Sequence, residues 1–414
     1  MANTASGGGP QAWKAEDVRN DTTWILRLTP EEVEGFRTAM THARQANKPL
    51  LDMEQADFPL PEVSRRALER AVATTQGRWG MCLVKGFPTD EWTEPDLRTA
   101  YWGMGLYMGV ARPQNRASEV INDVRDAGGS YKSPGGRGYN TNAGLDFHQD
   151  SCDVVALICR RTAKRGGTSM VVSSVALRDR VQERRPDLLP VLEDGEGWFH
   201  SFQGTQEPDS QPPFYRCPIF GGGGGEGKGA EEKIPFCART NRKNTAAAQR
   251  DFAEVPRLTP PQEEALDLLD EIMPSGEYCY SMELERGDMQ LLNSFVTLHS
   301  RTEFEDHEEG GPDAKRHLLR LWMSVPSSQA LPAPWAEYWG DVRPGAVRGG
   351  VRGSGVTEEF KRYERRQAGG DGDAVQAVGA RGHEGGYGED FGGAGGGRAL
   401  GRGKSGSDGE EVER

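Results

Sequence analysis

Helical and strand-like patterns divide the chain unevenly. TPEEVEGFRTAMTHARQ begins with Thr29 as an N-cap, Pro30 at the first helical position and Glu32 closing a capping box, which predicts a helix. Residues 92–108 are predicted helical. SVALRDRVQERRPDLLPVL keeps a helical pattern until Pro186. LTPPQEEALDLLDEIM (258–273) is a further helix, capped by Thr259 with Gln262 three residues on. The strand-like runs are WILRL (24–28), GRWGMCLVKGFP (77–88, ended by Gly-Phe-Pro) and TSMVVSS (168–174, after the Gly166-Gly167 turn). GDMQLLNSFVTLHSR (287–301) reads as turn, strand, short break and strand, and HLLRLWMSV (317–325) as another strand. Residues 111–157 mix turns with short strands. This is an α+β pattern with an all-β core rather than a regular βαβ alternation.

Three stretches fall outside that pattern. Residues 1–22 are polar and Gly-rich and read as a flexible N-terminal tail. FGGGGGEGKGAEEK (220–233) reads as a flexible insert. Residues 345–414 are rich in Gly, Arg and Glu, with too little apolar content to offset the entropy of ordering, and read as a disordered tail. Arginines in that tail alternate with acids, which weighs against an RNA-binding role. One domain over 23–340 remains.

The balance of charge narrows the partners. The 414 residues carry a formal net charge of −13, with a pI near 5.2, which argues against nucleic acid and against an anionic membrane surface. No run approaches the roughly 18 apolar residues of a membrane span. MANTASGGGP lacks the features of a secretion signal. The six cysteines form no CxxC pair and several sit in apolar stretches, so they read as free thiols of a cytoplasmic protein.

The chemistry starts in LDFHQDSCDVVAL. On a strand, His148 and Asp150 would point to one face. A facial iron site needs two imidazoles and one carboxylate. Of the other histidines, His42 lies in the first helix, His200 follows EGWF, His307 sits in an acidic loop and His383 in the tail. His299 closes the apolar QLLNSFVTL, which suits a rigid ligand. His317 is flanked by Arg316 and Arg320, whose charges disfavour a bound cation. Those two arginines are four apart, so a strand puts them on one face. A buried guanidinium needs an anion, either an intramolecular acid or a bound organic acid.

The order FHQD, GGTSMVVSS, GDMQLLNSFVTLHSRTEFED and KRHLLRLW resembles the taurine dioxygenase-like (TauD/TfdA-like) family of Fe(II)- and 2-oxoglutarate-dependent oxygenases, over roughly residues 24–335. The resemblance implies a distorted double-stranded β-helix (jelly-roll) core flanked by helices. It implies that His148, Asp150 and His299 hold Fe(II), and that Arg316 binds the distal carboxylate of 2-oxoglutarate, assisted by a hydroxyl from Ser169 in preference to Thr168. Arg320 matches a position that reaches the primary substrate in some members. The loop SRTEFEDHEEGGPDAK between His299 and Arg316 is longer than in the shortest members. Members that halogenate replace the carboxylate ligand, so an intact Asp150 implies hydroxylation or a related oxidation. The resemblance also implies that O2 is consumed with 2-oxoglutarate and that succinate and CO2 are released.

Two other readings use the same residues: a non-catalytic jelly-roll metal-binding or scaffold protein, and a zinc hydrolase, which has no need of Arg316. The partner expected is a small-molecule substrate of unspecified identity, with Tyr131, Asn142 and Arg320 as candidate contacts. A homo-oligomer is compatible with the sequence.

Overall fold

The computed structural model describes residues 9–115, 117–130, 138–202, 212–223, 234–308, 311–351 and 357–367. Ten strands carry the architecture: β1 (Ile25–Arg27), β2 (Met81–Lys85), β3 (Val110–Arg112), β4 (Ile121–Val124), β5 (Val154–Arg161), β6 (Ser169–Ser173), β7 (Tyr280–Met282), β8 (Met289–Asn293), β9 (Thr297–Arg301) and β10 (His317–Ser324). Seven of them form a large sheet in the order β1-β2-β8-β5-β10-β3, with β4 also paired to β10. The other three form a small sheet, β7-β6-β9. All pairings in both sheets are antiparallel except β1 with β2.

Alternation along β5 explains the layering. Val154, Ala156 and Ile158 face a cluster built from the helices α2 (Pro30–Ala46), α3 (Glu62–Gln76) and α4 (Glu94–Met108), including Phe36, Leu68 and Leu97. Val155, Leu157 and Cys159 point the other way and pack with Val171 and Met282 of the small sheet. The far face of that sheet, through Val172 and Leu298, is covered by α5 (Ser174–Arg184) and α7 (Pro260–Ile272). The central strands β5, β8 and β10 are therefore buried on both faces along most of their length, with apolar residues on each face. The expected caps form: Thr29 with Glu32 and Thr259 with Gln262 both make capping boxes.

Several expectations change. Trp13 and Val18 are buried, and α1 (Ala15–Asn20) packs against the body, so the ordered fold begins well before residue 23. Trp13 donates its indole N–H to the Trp79 carbonyl at 2.9 Å. The insert expected at 220–233 is narrower: Phe220–Gly221 pairs with Cys237–Ala238, and 224–233 lie outside the described residues. The tail does not begin at 345. Arg348 is fully buried against Asp153 at 2.8 Å. The helix α8 (Glu358–Gln367) docks through Phe360 and Tyr363, and its Glu364 pairs with the buried Arg112 at 2.8 Å. The composition hid this because two aromatic residues three apart supply the contact, while the other positions are charged or polar. Residues 352–356 and 368–414 lie outside the described residues.

Candidate active site

His148 and Asp150 do not lie on a regular strand. His148 makes an isolated antiparallel bridge to His299 on β9, with N–H to carbonyl distances of 3.0 and 2.9 Å in the two directions. The chain then bends through Asp150 before β5 starts. The two imidazoles lie 4.4 Å apart between ring centres. Asp150 reaches them from the bend, with Oδ2 at 3.5 Å from Nε2 of His299 and Oδ1 at 4.0 Å from Nε2 of His148. One ligand atom from each of the three residues lies within 4.8 Å of the others.

The donor chemistry fits a divalent metal. Nδ1 of His148 lies 2.8 Å from the Asp146 carbonyl, a contact that needs the N–H on that nitrogen and leaves the Nε2 lone pair toward the cluster. Burial, then the neighbouring His299, lowers the His148 pKa to about 4, which keeps the ring neutral. Burial alone would raise the Asp150 pKa. Arg320 and the two imidazoles outweigh it and hold the carboxyl well below the usual range. Arg320 donates to Oδ1 of Asp150 at 3.3 Å, while Oδ2 and Nε2 of His299 are buried without a hydrogen-bond partner. Unpaired buried polar atoms are costly unless something else satisfies them.

The cavity beside the cluster lies between the two sheets and is lined by Leu157, Ser169, Gln290, Leu318 and Trp322. Arg316, the residue before β10, and Arg320 on it both line the cavity, as their even spacing along extended chain requires. That loop is held by Phe304–Glu305 pairing with Arg165–Gly166, and Asp306 accepts the Arg316 backbone N–H at 2.8 Å. Arg316 is buried, its Nη1 has no partner, and burial lowers its pKa. Ser169 donates to Gln290 at 3.0 Å inside the cavity, whereas Thr168 turns outward to Glu283. Arg320 also donates to Gln114 at 2.7 Å. Asn142 is exposed and does not line the cavity, so its candidacy as a substrate contact falls. Tyr131 lies outside the described residues.

Sequence reasoning missed four cavity residues. Arg301 follows His299 by two positions on β9, so strand periodicity could have found it. Its Nε and Nη1 are unpartnered, and burial together with Arg316 brings its pKa down to about 9. Gln290, Arg239 and Lys243 carry no comparable signal. Glu94, Asp123 and His317 make a second group of potential ligand atoms. Arg98 and Arg160 already bond within it, so it reads as an ion-pair network.

The family model for the taurine catabolism dioxygenase TauD, TfdA family matches residues 46–322. The chain belongs to that family and is a dioxygenase working with iron, 2-oxoglutarate and O2. It is 31% identical over 338 residues to FR-33289 synthase of Streptomyces rubellomurinus, covering 80% of this chain and 94% of the relative. It is 25% identical over 321 residues to a taurine hydroxylase-like protein of Stachybotrys chartarum, covering 75% and 77%. In fold it resembles an asparagine oxygenase solved with Fe(II), 3-hydroxyasparagine and succinate, at TM-score 0.54 and 19% identity, covering 75% of this chain and 98% of that one. The non-heme iron oxygenase OrfP, solved with Fe and α-ketoglutaric acid, gives TM-score 0.51 at 15% identity, covering 72% and 93%. Among the described residues no helix is long and apolar enough to cross a membrane.

Proposed function

We propose that this protein is a 2-oxoglutarate-dependent hydroxylase of a small molecule, built on a distorted jelly-roll core whose two sheets enclose the site. The observation that carries the reading is the convergence of His148, Asp150 and His299 within 4.8 Å, with Nε2 of His299 and Oδ2 of Asp150 lacking any other partner. His148, Asp150 and His299 would hold Fe(II). Arg316, supported by Arg301 and by the Ser169–Gln290 pair, would take the distal carboxylate of 2-oxoglutarate. Bound iron and 2-oxoglutarate supply the oxidising power for the C–H bond, with succinate and CO2 as by-products.

The chain's own residues then orient and exclude. Arg320 donates to Oδ1 of Asp150, while Oδ2 has no hydrogen-bond partner and faces Nε2 of His299. The Asp146 carbonyl holds the His148 tautomer. Leu157, Leu318 and Trp322 keep the floor of the cavity apolar, which limits water there. The experiment is anaerobic addition of Fe(II) and 2-oxoglutarate, read as a weak visible charge-transfer band. His148→Ala and His299→Ala should each remove the band. Retention in both variants would overturn the ligand assignment.

A further inference from the structure

The cavity carries more positive charge than the cofactor site uses. Arg239, Lys243, Arg301, Arg316 and Arg320 line it, against one carboxylate among the described lining residues, Asp150. This excess sits in a chain whose formal net charge is −13. Arg301 and Arg316 belong to the 2-oxoglutarate subsite, and Arg320 is tied to Asp150. Arg239 is left over, at 2% exposure and with no carboxylate partner among the described residues.

Its surroundings form a built site. Nη1 of Arg239 donates at 2.5 Å to the carbonyl of Gln149, the residue between His148 and Asp150, and the guanidinium lines the same cavity as that cluster. Nη2 donates to the hydroxyls of Tyr215 and Tyr338 at 3.2 and 3.1 Å. Those two rings stack at 4.1 Å, and His200 stacks on Tyr215 at 5.2 Å, which fixes both hydroxyls. Each tyrosine oxygen accepts from Arg239, and the Tyr338 hydroxyl also pairs with the Ser151 hydroxyl, which leaves the Tyr215 proton to be directed elsewhere. Nε of Arg239 is buried without a partner. Lys243, at the start of α6 (Arg242–Asp251), completes the same wall. A buried guanidinium with a free donor and no acid calls for an anion from outside the chain.

We propose that Arg239, Tyr215, Tyr338 and Lys243 form a second anion subsite, and that the substrate carries an oxyanion head group bound there. The proposal rests on the hydroxylase reading for the place of the oxidised carbon, but the subsite itself is testable by binding. Propylphosphonate, propanesulfonate, butyrate and propylamine are titrated calorimetrically into the full chain already saturated with Fe(II) and 2-oxoglutarate under anaerobic conditions. At least one anion should bind and the amine should not. A preference for the tetrahedral heads or for the carboxylate identifies the head group and supports the subsite either way. Arg239→Gln should weaken that anion by about tenfold or more. Tyr215→Phe and Lys243→Gln, which remove less, should each weaken it by a smaller factor, while 2-oxoglutarate affinity stays within about twofold. Binding of no anion, binding of the amine instead, or unchanged affinity in Arg239→Gln and Tyr215→Phe would overturn the proposal. If the wild-type chain takes up neither Fe(II) nor 2-oxoglutarate, the hydroxylase reading fails. The same titration of the metal-free chain, compared with Arg239→Gln, then still decides the subsite.

Discussion

A Cβ on Gly167 would stand 2.7 Å from Nε of Arg316. Gly167 also has φ of +75°, after Gly166 at +71°, so the turn before β6 is shaped to let the guanidinium pass. Gly167→Ala should therefore displace Arg316 and weaken 2-oxoglutarate binding by about tenfold or more. Gly128 is the control, with φ of +76° and nothing within 4 Å of the place a Cβ would occupy. Gly128→Ala should cost about 1 kcal/mol of stability from backbone strain and leave the affinity alone. Equal affinities in the two variants would show that Arg316 does not hold the cofactor.

Arg316 and Arg320 line one cavity with different neighbours, which separates their roles. Removing one buried partner of a charge pair costs on the order of 2–5 kcal/mol, so Arg316→Ala should weaken 2-oxoglutarate by roughly 30- to 4000-fold. Arg316→Lys should recover only part, because an ammonium cannot form the fork. Arg320→Ala frees Oδ1 of Asp150, and should lower iron affinity and uncouple succinate formation more than it lowers cofactor affinity. Titration of Fe(II) and of 2-oxoglutarate into all three variants checks this. The reverse pattern would exchange the two assignments.

Deleting everything after residue 344 should be damaging. It leaves Asp153 buried without Arg348 and Arg112 without Glu364. Breaking one such pair costs about 3–5 kcal/mol, a fall in melting temperature on the order of 10 °C. Deletion after residue 367 should leave the melting temperature unchanged. A fully stable 1–344 chain would show that α8 and its pairs contribute nothing.

His200 gives a pH dependence. It is buried, with Nε2 at 2.9 Å from the Cys217 carbonyl and Nδ1 at 3.0 Å from Thr245, and burial lowers its pKa to about 4. The unfolded chain takes up this proton near pH 6.5 and the folded chain only near pH 4, so stability falls with decreasing pH between those values. The slope is about 1.4 kcal/mol per pH unit for this group, and flattens below about 4. Denaturant melts from pH 7 to 4 should show a shallower slope in His200→Gln, by about one proton. Parallel curves would place the proton elsewhere.

The motifs were legible because their chemistry is local. His148, Asp150, Ser169, His299 and Arg316 each stand in a short signature, and the structure brings all five around one cavity. What the sequence hid depends on distant partners. Arg239 stands in CARTN with nothing nearby to mark it, and its contacts come from Gln149, Tyr215 and Tyr338. The amphipathic α3 went unassigned, and the bend at Asp150 replaced the expected strand because the carboxylate must turn back toward His299. The terminal segments looked empty because a few buried residues, Trp13, Val18, Arg348 and Tyr363, dock otherwise polar chain.

The C-terminal segment also closes the cavity. Val351 lines the wall, its N–H reaches the Pro113 carbonyl, and Gly350 donates to the Ser151 carbonyl one residue beyond Asp150. Tyr363 receives the Ala111 backbone N–H across 252 positions. A pocket wall assembled over such separations carries a large loop-closure cost and forms late in folding. The shelter of the cavity is therefore coupled to the docking of Gly350, Val351 and Tyr363 rather than supplied by the two sheets alone.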